Sequence, residues 1–155
     1  MSDLLKIRKA VESDAPIISR ITKKAFEEYA KLLPELPDAL TETEDDIEND
    51  IVNKMVFVAE LNRNIIGTVR LTPDGEKMYL SRFAVKPDQQ GSGIGKHILE
   101  YCDIMAKISG AKEIYLHTST DAENLMTLYN NCGYELNSIN TDKGYNRATL
   151  IKKLI

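Results

Sequence analysis

Three glycines at alternate positions, Gly91, Gly93 and Gly95, lie between an apolar segment and a stretch with helical apolar spacing. A glycine-rich turn between a strand and a helix presents backbone amides at the positive end of the helix dipole, which favours phosphate or pyrophosphate. The spacing excludes two familiar phosphate loops. A Walker A loop requires glycine at the position of Gln90, and a dinucleotide fingerprint requires glycine at the position of Lys96. For the loop alone, a structural turn without a ligand stays open.

Three titratable side chains elsewhere, Glu60, Glu76 and His117, are candidates for a general base. Each residue type is more often a core or surface residue than a catalyst when nothing else supports it. Strand alternation in "EIYLHTS" places His117 on the face opposite the apolar residues, where it would line a groove or lie under a helix. The sequence alone therefore leaves the general base open among Glu60, Glu76 and His117.

Composition restricts the class of protein. The 155 residues, 43% of them apolar, suit one domain with its own core, and we expect a single domain over residues 1–155. Acidic residues outnumber basic ones 24 to 20, which gives no support for nucleic-acid binding. No apolar stretch has the length of a membrane span or of a signal peptide, so we expect a cytoplasmic protein with no membrane partner.

Metal and redox chemistry are not indicated. The two cysteines, Cys102 and Cys132, lack metal-ligand spacing, and Cys102 falls on the apolar stripe of a helix. We therefore expect structural cysteines and no metal site.

The order of elements is mixed α/β. We expect strands at 4–10, 56–61, 65–71, 78–85, 113–119 and 134–138, with a last strand at 145–154. Helices are expected after Ser13 or Asp14, after a capping box formed by Thr41 and Glu44, from 94 to about 109, and from about 121 to 132. The short "NRN" segment predicts an antiparallel hairpin.

The strand "MYLSRFAV" contains a phase error. Met78 and Leu80 share one parity, whereas Phe83 and Val85 share the other, so a regular strand could not place all four on one face. One extra residue near Ser81 or Arg82 would restore the face. We expect a β-bulge there; burial of both faces is the alternative.

The wider pattern around the glycines carries a resemblance. "VKPDQQGSGIG" (85–95) resembles the acetyl-CoA signature of the GNAT superfamily of N-acetyltransferases, and "LYNNCGY" resembles a second motif of that family through Leu128, Tyr129, Gly133 and Tyr134. The resemblance implies an α/β, GNAT-like fold: a mixed, mostly antiparallel twisted sheet of about six or seven strands, about four flanking helices, and a bulged, splayed central strand.

The resemblance also implies a cofactor site. It predicts that loop amides hold the pyrophosphate of coenzyme A and that the bulged strand pairs with the pantetheine arm. The cofactor-binding residues would be Phe83, Ala84, Val85, Gln90, Gly91, Ser92, Gly93, Ile94, Gly95 and Lys96. Many members carry an asparagine that contacts the cofactor where this chain has Ala122, so that role is not transferred.

For catalysis, Tyr129 matches the family tyrosine and is the predicted acid for the coenzyme A sulfur. The strand amide near Phe83 is the predicted donor to the thioester oxygen, and Glu60 is the first candidate for the base.

The acceptor would be a primary amine, and the resemblance implies that the first two helices and the "LLPELPDAL" loop form its side of the cleft. Acidic residues at 42–50 would steer a cationic amine, or would simply form a solvated helix surface.

We expect an acetyl-CoA-dependent N-acetyltransferase acting on a small metabolite. The alternatives are acetylation of a protein N-terminus or lysine, and a non-catalytic acyl-CoA-binding module. The sequence does not indicate the oligomeric state.

Overall fold

The computed structural model describes residues 4–154 and contains a seven-stranded sheet with four α-helices. The strands are β1 (Leu5–Lys9), β2 (Met55–Leu61), β3 (Asn64–Asp74), β4 (Lys77–Val85), β5 (Glu113–Ser119), β6 (Glu135–Asn140) and β7 (Arg147–Lys153). The helices are α1 (Ala15–Ala30), α2 (Glu44–Asn53), α3 (Ile94–Ile108) and α4 (Glu123–Asn131). The predicted α/β fold is confirmed in strand number, helix number and order of elements.

The sheet is mixed, with strand order β1-β2-β3-β4-β5-β7-β6. Only β4 and β5 run parallel; the other neighbouring pairs are antiparallel. The predicted β2–β3 hairpin is present, with Asn62 and Arg63 at positive φ as a tight two-residue turn requires.

Alternating residues of β2 show how the helices divide between the two faces of the sheet. Val56 and Val58 pack with residues of α1 and α2, whereas Phe57 and Ala59 belong to the larger core that contains residues of α3 and α4. Because successive side chains of a strand point to opposite faces, α1 and α2 cover one face and α3 and α4 cover the other.

The bulge in β4 is confirmed. Thr68 of β3 pairs with Ala84, and Arg70 pairs with Ser81, so two steps along β3 face three steps along β4. Arg82 takes a φ of +52°, which is uncommon for a residue with a side chain.

The predicted start of α2 was wrong by two residues. The capping box is formed by Thr43 and Asp46, since Thr43 Oγ1 accepts from the Asp46 N–H and Asp46 Oδ2 accepts from the Thr43 N–H. Thr41 instead ends the preceding 3-10 turn, where its N–H donates to the Asp38 carbonyl.

Both cysteines are free thiols. Cys102 is buried and Cys132 is half-buried. No helix within residues 4–154 has the length and apolar content needed to span a bilayer.

Candidate active site

The glycine loop leaves a run of backbone amides without partners. In the described chain, the N–H groups of residues 91–96 make no hydrogen bond, and the first intrahelical bond is donated by His97 to the Gly93 carbonyl at 3.1 Å. Six consecutive donors therefore surround the N-terminus of α3. Such an arrangement is suited to an anionic group with several oxygens.

Glycine is required at the three loop positions for two different structural reasons. Gly91 and Gly93 adopt φ values of +83° and +84°, and a Cβ at either position would meet open space, so it is the backbone conformation that requires glycine. At Gly95, a Cβ would lie 3.2 Å from Phe83 Cζ and 3.3 Å from Leu128 Cδ2. Gly95 thus lets the first turn of α3 approach β4 and α4 closely.

Gln90 acts through its side chain rather than its main-chain amide. Its N–H donates to the Pro87 carbonyl at 3.4 Å, while its side-chain Nε2 donates to the Val85 carbonyl at 3.2 Å. Ser92 Oγ donates to the Gln89 carbonyl at 2.6 Å. These bonds fix the loop against the end of β4.

An unpaired edge of β4 faces the same cleft. The pairing of β4 with β5 covers only Lys77–Tyr79 and Glu113–Tyr115, so the rest of the two strands forms a wedge-shaped opening. The Lys86 N–H donates to the Ile66 carbonyl of β3. Because successive N–H groups of a strand point to opposite sides, the Ala84 N–H also points toward β3. The N–H groups of Phe83 and Val85 consequently face the opening.

The opening is a cleft of about 790 Å³. Its walls include β4 from Leu80 to Val85, β5 from Leu116 to Thr118, and parts of α1, the glycine loop and α4. The side chain of Tyr29 extends from α1 to the end of β5, where its hydroxyl oxygen accepts from the Ser119 N–H at 2.8 Å. Residues from both faces of the sheet line one continuous space.

Tyr129 lies in this cleft on the side of α3 and α4. The residue is 5% exposed, and its ring lies 6.1 Å from that of Phe83 and 5.8 Å from that of Tyr134. Its hydroxyl makes no hydrogen bond within residues 4–154. Burial raises the pKa of Tyr129 above its usual value, so the phenol keeps its proton through the neutral range.

His117 also lines the cleft, on β5. Its Nδ1 lies 2.9 Å from Thr149 Oγ1, and its ring contacts the rings of Tyr79 and Tyr115. Burial lowers the pKa of His117, and the cations Arg147 and Lys143 act in the same direction. A neutral imidazole with one nitrogen held by a hydroxyl leaves the other nitrogen available.

The structure does not bring Glu60 or Glu76 to the cleft. Glu60 lines a different pocket, where Arg8 Nε binds its Oε1 at 2.6 Å and Arg8 also binds Asp14. Glu76 lies in the exposed β3–β4 turn and pairs with Lys112 at 3.2 Å. Of the three base candidates, only His117 shares the cleft with Tyr129.

A buried charge cluster on the α1–α2 face was not predicted. Arg70 of β3 is 2% exposed and binds both carboxylate oxygens of Glu42, at 2.6 and 2.9 Å, and Asp50 at 2.8 Å. Arg82 of the bulge reaches the same Glu42 at 3.4 Å. Glu42 and Asp50 are therefore largely neutralised by arginine. That pairing removes them from the acidic surface that was expected to steer a cationic amine.

The comparisons with known proteins identify the family. Residues 21–134 match the family model described as "Acetyltransferase (GNAT) family", and the chain belongs to that family. A curated relative, probable N-acetyltransferase 14 of Xenopus tropicalis, is 34% identical over 89 residues, which are 56% of this chain and 43% of the relative. The chain spans less than half the length of the curated relatives it matches.

Solved structures share the fold over nearly the whole chain. The PaiA N-acetyltransferase of Thermoplasma acidophilum, solved with coenzyme A, aligns with a TM-score of 0.84 and 19% identity, covering 99% of both chains. The putative acetyltransferase YncA of Salmonella typhimurium, solved with acetyl-CoA, aligns with a TM-score of 0.76 and 18% identity, covering 98% of this chain and 95% of that one.

Proposed function

We propose that this chain is an acetyl-CoA-dependent N-acetyltransferase that acetylates the primary amine of a small metabolite. One observation carries the proposal: of the six residues with unbonded amides at the start of α3, four (Gly91, Gly93, Gly95 and Lys96) line the same cleft as the unpaired edge of β4. A pyrophosphate needs the first feature, and an extended arm with amide groups needs the second.

The residues present fit coenzyme A. The amides of residues 91–96 are assigned to the pyrophosphate, and the Val85 N–H to the pantetheine arm. The Val85 carbonyl is already engaged by Gln90, so Val85 contributes its N–H alone. When bound, acetyl-CoA supplies an acetyl thioester; the remaining tasks fall to the protein.

Two groups are assigned to the thioester end. The Phe83 N–H, next to the bulge, is assigned to donate to the carbonyl oxygen as negative charge develops there. The Tyr129 hydroxyl, protonated at neutral pH and free of other partners, is assigned to deliver a proton to the sulfur when the C–S bond breaks and the N–C bond forms.

We assign the base to His117 in place of Glu60. The lowered pKa of His117 keeps its imidazole neutral near pH 7, so it can take the proton that the amine loses on acetylation. Glu60 lies outside the cleft, and its ion pair with Arg8 occupies one of its oxygens.

The test is release of coenzyme A thiol from acetyl-CoA with a panel of amines, amino acids, polyamines and short peptides. We expect thiol release with at least one free amine of low molecular mass. Turnover of peptides only would favour a protein acceptor. Tight acetyl-CoA binding without turnover across the panel would favour a non-catalytic module and contradict the proposal.

A further inference from the structure

The bulge residue Arg82 presents a cation to the cleft that the protein itself only partly neutralises. The side chain is 26% exposed and lies among the residues that line the cleft. Arg82 contacts Glu42, which belongs to the α1–α2 side, whereas the next residue, Phe83, packs toward Tyr129 on the α3–α4 side. Arg82 is thus on the face opposite the glycine loop.

Glu42, the acidic partner of Arg82, already forms a closer ion pair with Arg70. Arg70 binds both oxygens of Glu42 at 2.6 and 2.9 Å, and the Arg82 Nε contact, at 3.4 Å, is to an oxygen that Arg70 also uses. Within residues 4–154, the Nη1 and Nη2 groups of Arg82 donate to no other group.

The charges of this cluster leave one positive charge over. Arg70, Arg82 and Lys54 carry three positive charges, while Glu42 and Asp50 carry two negative ones. Glu42 makes its shortest contacts with Arg70, and Asp50 pairs with Arg70 and Lys54. Arg82 therefore has the least neutralised positive charge of the three. The acidic residues that also line the cleft do not contact Arg82, and Glu28, one of them, pairs with Lys31.

We propose that Arg82 binds a carboxylate of the acceptor, and that the acceptor is therefore a small amino acid or another amine that carries a carboxylate. This inference rests on the proposed function. The planar guanidinium offers two parallel N–H donors, which match a carboxylate in geometry and charge. The carboxylate supplies the negative charge that the cluster lacks. The positive φ of Arg82, +52°, accompanies a side-chain direction toward Glu42, on the α1–α2 side of the opening.

The first test compares each α-amino acid with its own amide in the thiol-release assay. The pair differs by one negative charge at nearly constant shape. We expect kcat/KM for the acid to exceed that for the amide by at least about 10-fold. The amino group of the amide has a lower pKa than that of the acid, so a larger fraction of it is neutral at a given pH. Amine ionisation alone would therefore favour the amide, which is the opposite of the expected result. Equal or better use of the amide, or preference for a polyamine or a phosphate-bearing amine, would overturn the inference.

The second test uses Arg82→Asn, because asparagine tolerates positive φ better than most residues. We expect the acid-to-amide preference to fall at least 10-fold, mainly through KM for the acid. Lys54→Gln is the matched control: it removes one positive charge from the same cluster outside the cleft, and its preference should stay within threefold of the parent. An unchanged preference in Arg82→Asn would overturn the inference.

Acetyl-CoA affinity measured on both variants reports whether the bulge remains intact. If Arg82→Asn loses both acetyl-CoA affinity and the acid-to-amide preference, a third variant, Arg82→Lys, tests the role of the guanidinium. A lysine keeps the charge but loses the bidentate geometry, so we expect a partial loss of preference; a preference equal to that of the parent would overturn the guanidinium assignment. Absence of turnover with every amine would instead contradict the proposed function.

Discussion

Tyr129 combines a buried ring with a hydroxyl that has no hydrogen-bond partner in the described chain. A hydroxyl that lines a cleft and has no protein partner is able to bond to a ligand there. The neighbouring Tyr134 hydroxyl is fully buried without a partner, and Tyr134 does not line the cleft. Position in the cleft therefore distinguishes the two tyrosines of the second motif.

Removal of the Tyr129 hydroxyl tests its role directly. We expect Tyr129→Phe to lower kcat by about 10- to 100-fold, because an acid helps a thiolate leaving group less than an alkoxide. Acetyl-CoA affinity, measured by calorimetry, should stay within threefold of the parent. Tyr134→Phe is the matched control and should keep kcat. A Tyr129→Phe protein with full kcat and reduced stability would make Tyr129 a core residue.

The pH dependence of kcat/KM tests His117. Burial lowers the pKa of His117 below its usual value near 6.5, so the base form is present at neutral pH and is lost only as the pH falls through that lowered pKa. Protonation of the amine already lowers kcat/KM as the pH falls. We expect the decline to become steeper below pH 6.5, and we expect this extra slope to disappear in His117→Gln, together with a lower plateau. Extra slope that persists in His117→Gln would assign it to another group.

At the level of elements, Glu42 ties the segment between α1 and α2 to β3 and to the bulge of β4. The pairing of Glu42 with Arg70 and Arg82 was not predicted, because these partners are 28 and 40 residues away and no local pattern links them. The bulge was predicted, since a change of parity in a strand is a local signal. The capping box was misplaced because two threonines, Thr41 and Thr43, each precede an acidic residue at the required spacing.

Truncation of Glu42 should be costly. We expect Glu42→Ala to lower the free energy of unfolding by about 3 kcal/mol, because Arg70 would keep its buried charge while losing its main partner. Urea denaturation measures this. Glu48→Ala, an exposed position in α2, should change stability by less than about 0.5 kcal/mol. A loss below about 1 kcal/mol in Glu42→Ala would show that Asp50 or water replaces Glu42.

At the scale of the whole molecule, the cleft passes between the two faces of the sheet. The glycine loop and Tyr129 lie on the α3–α4 side, and Arg82 lies on the α1–α2 side. In the proposed reaction, acetyl-CoA and the acceptor would therefore approach one point from opposite faces. The loop and the bulge that make this geometry could be predicted from local patterns in the sequence. The position of Glu60 in a separate pocket could not, because its partner there, Arg8, is 52 residues away.

The central claim is that the glycine loop holds the phosphates of acetyl-CoA, and a matched pair at Gly93 tests it. Asparagine and aspartate both tolerate the φ of +84° there, have nearly the same shape and differ in charge. Calorimetry with acetyl-CoA should show that Gly93→Asp binds at least about 10-fold more weakly than Gly93→Asn, a difference of about 1.4 kcal/mol that shrinks as salt is added. If the two folded variants bind acetyl-CoA with equal affinity, the loop does not hold the phosphates and the account is wrong.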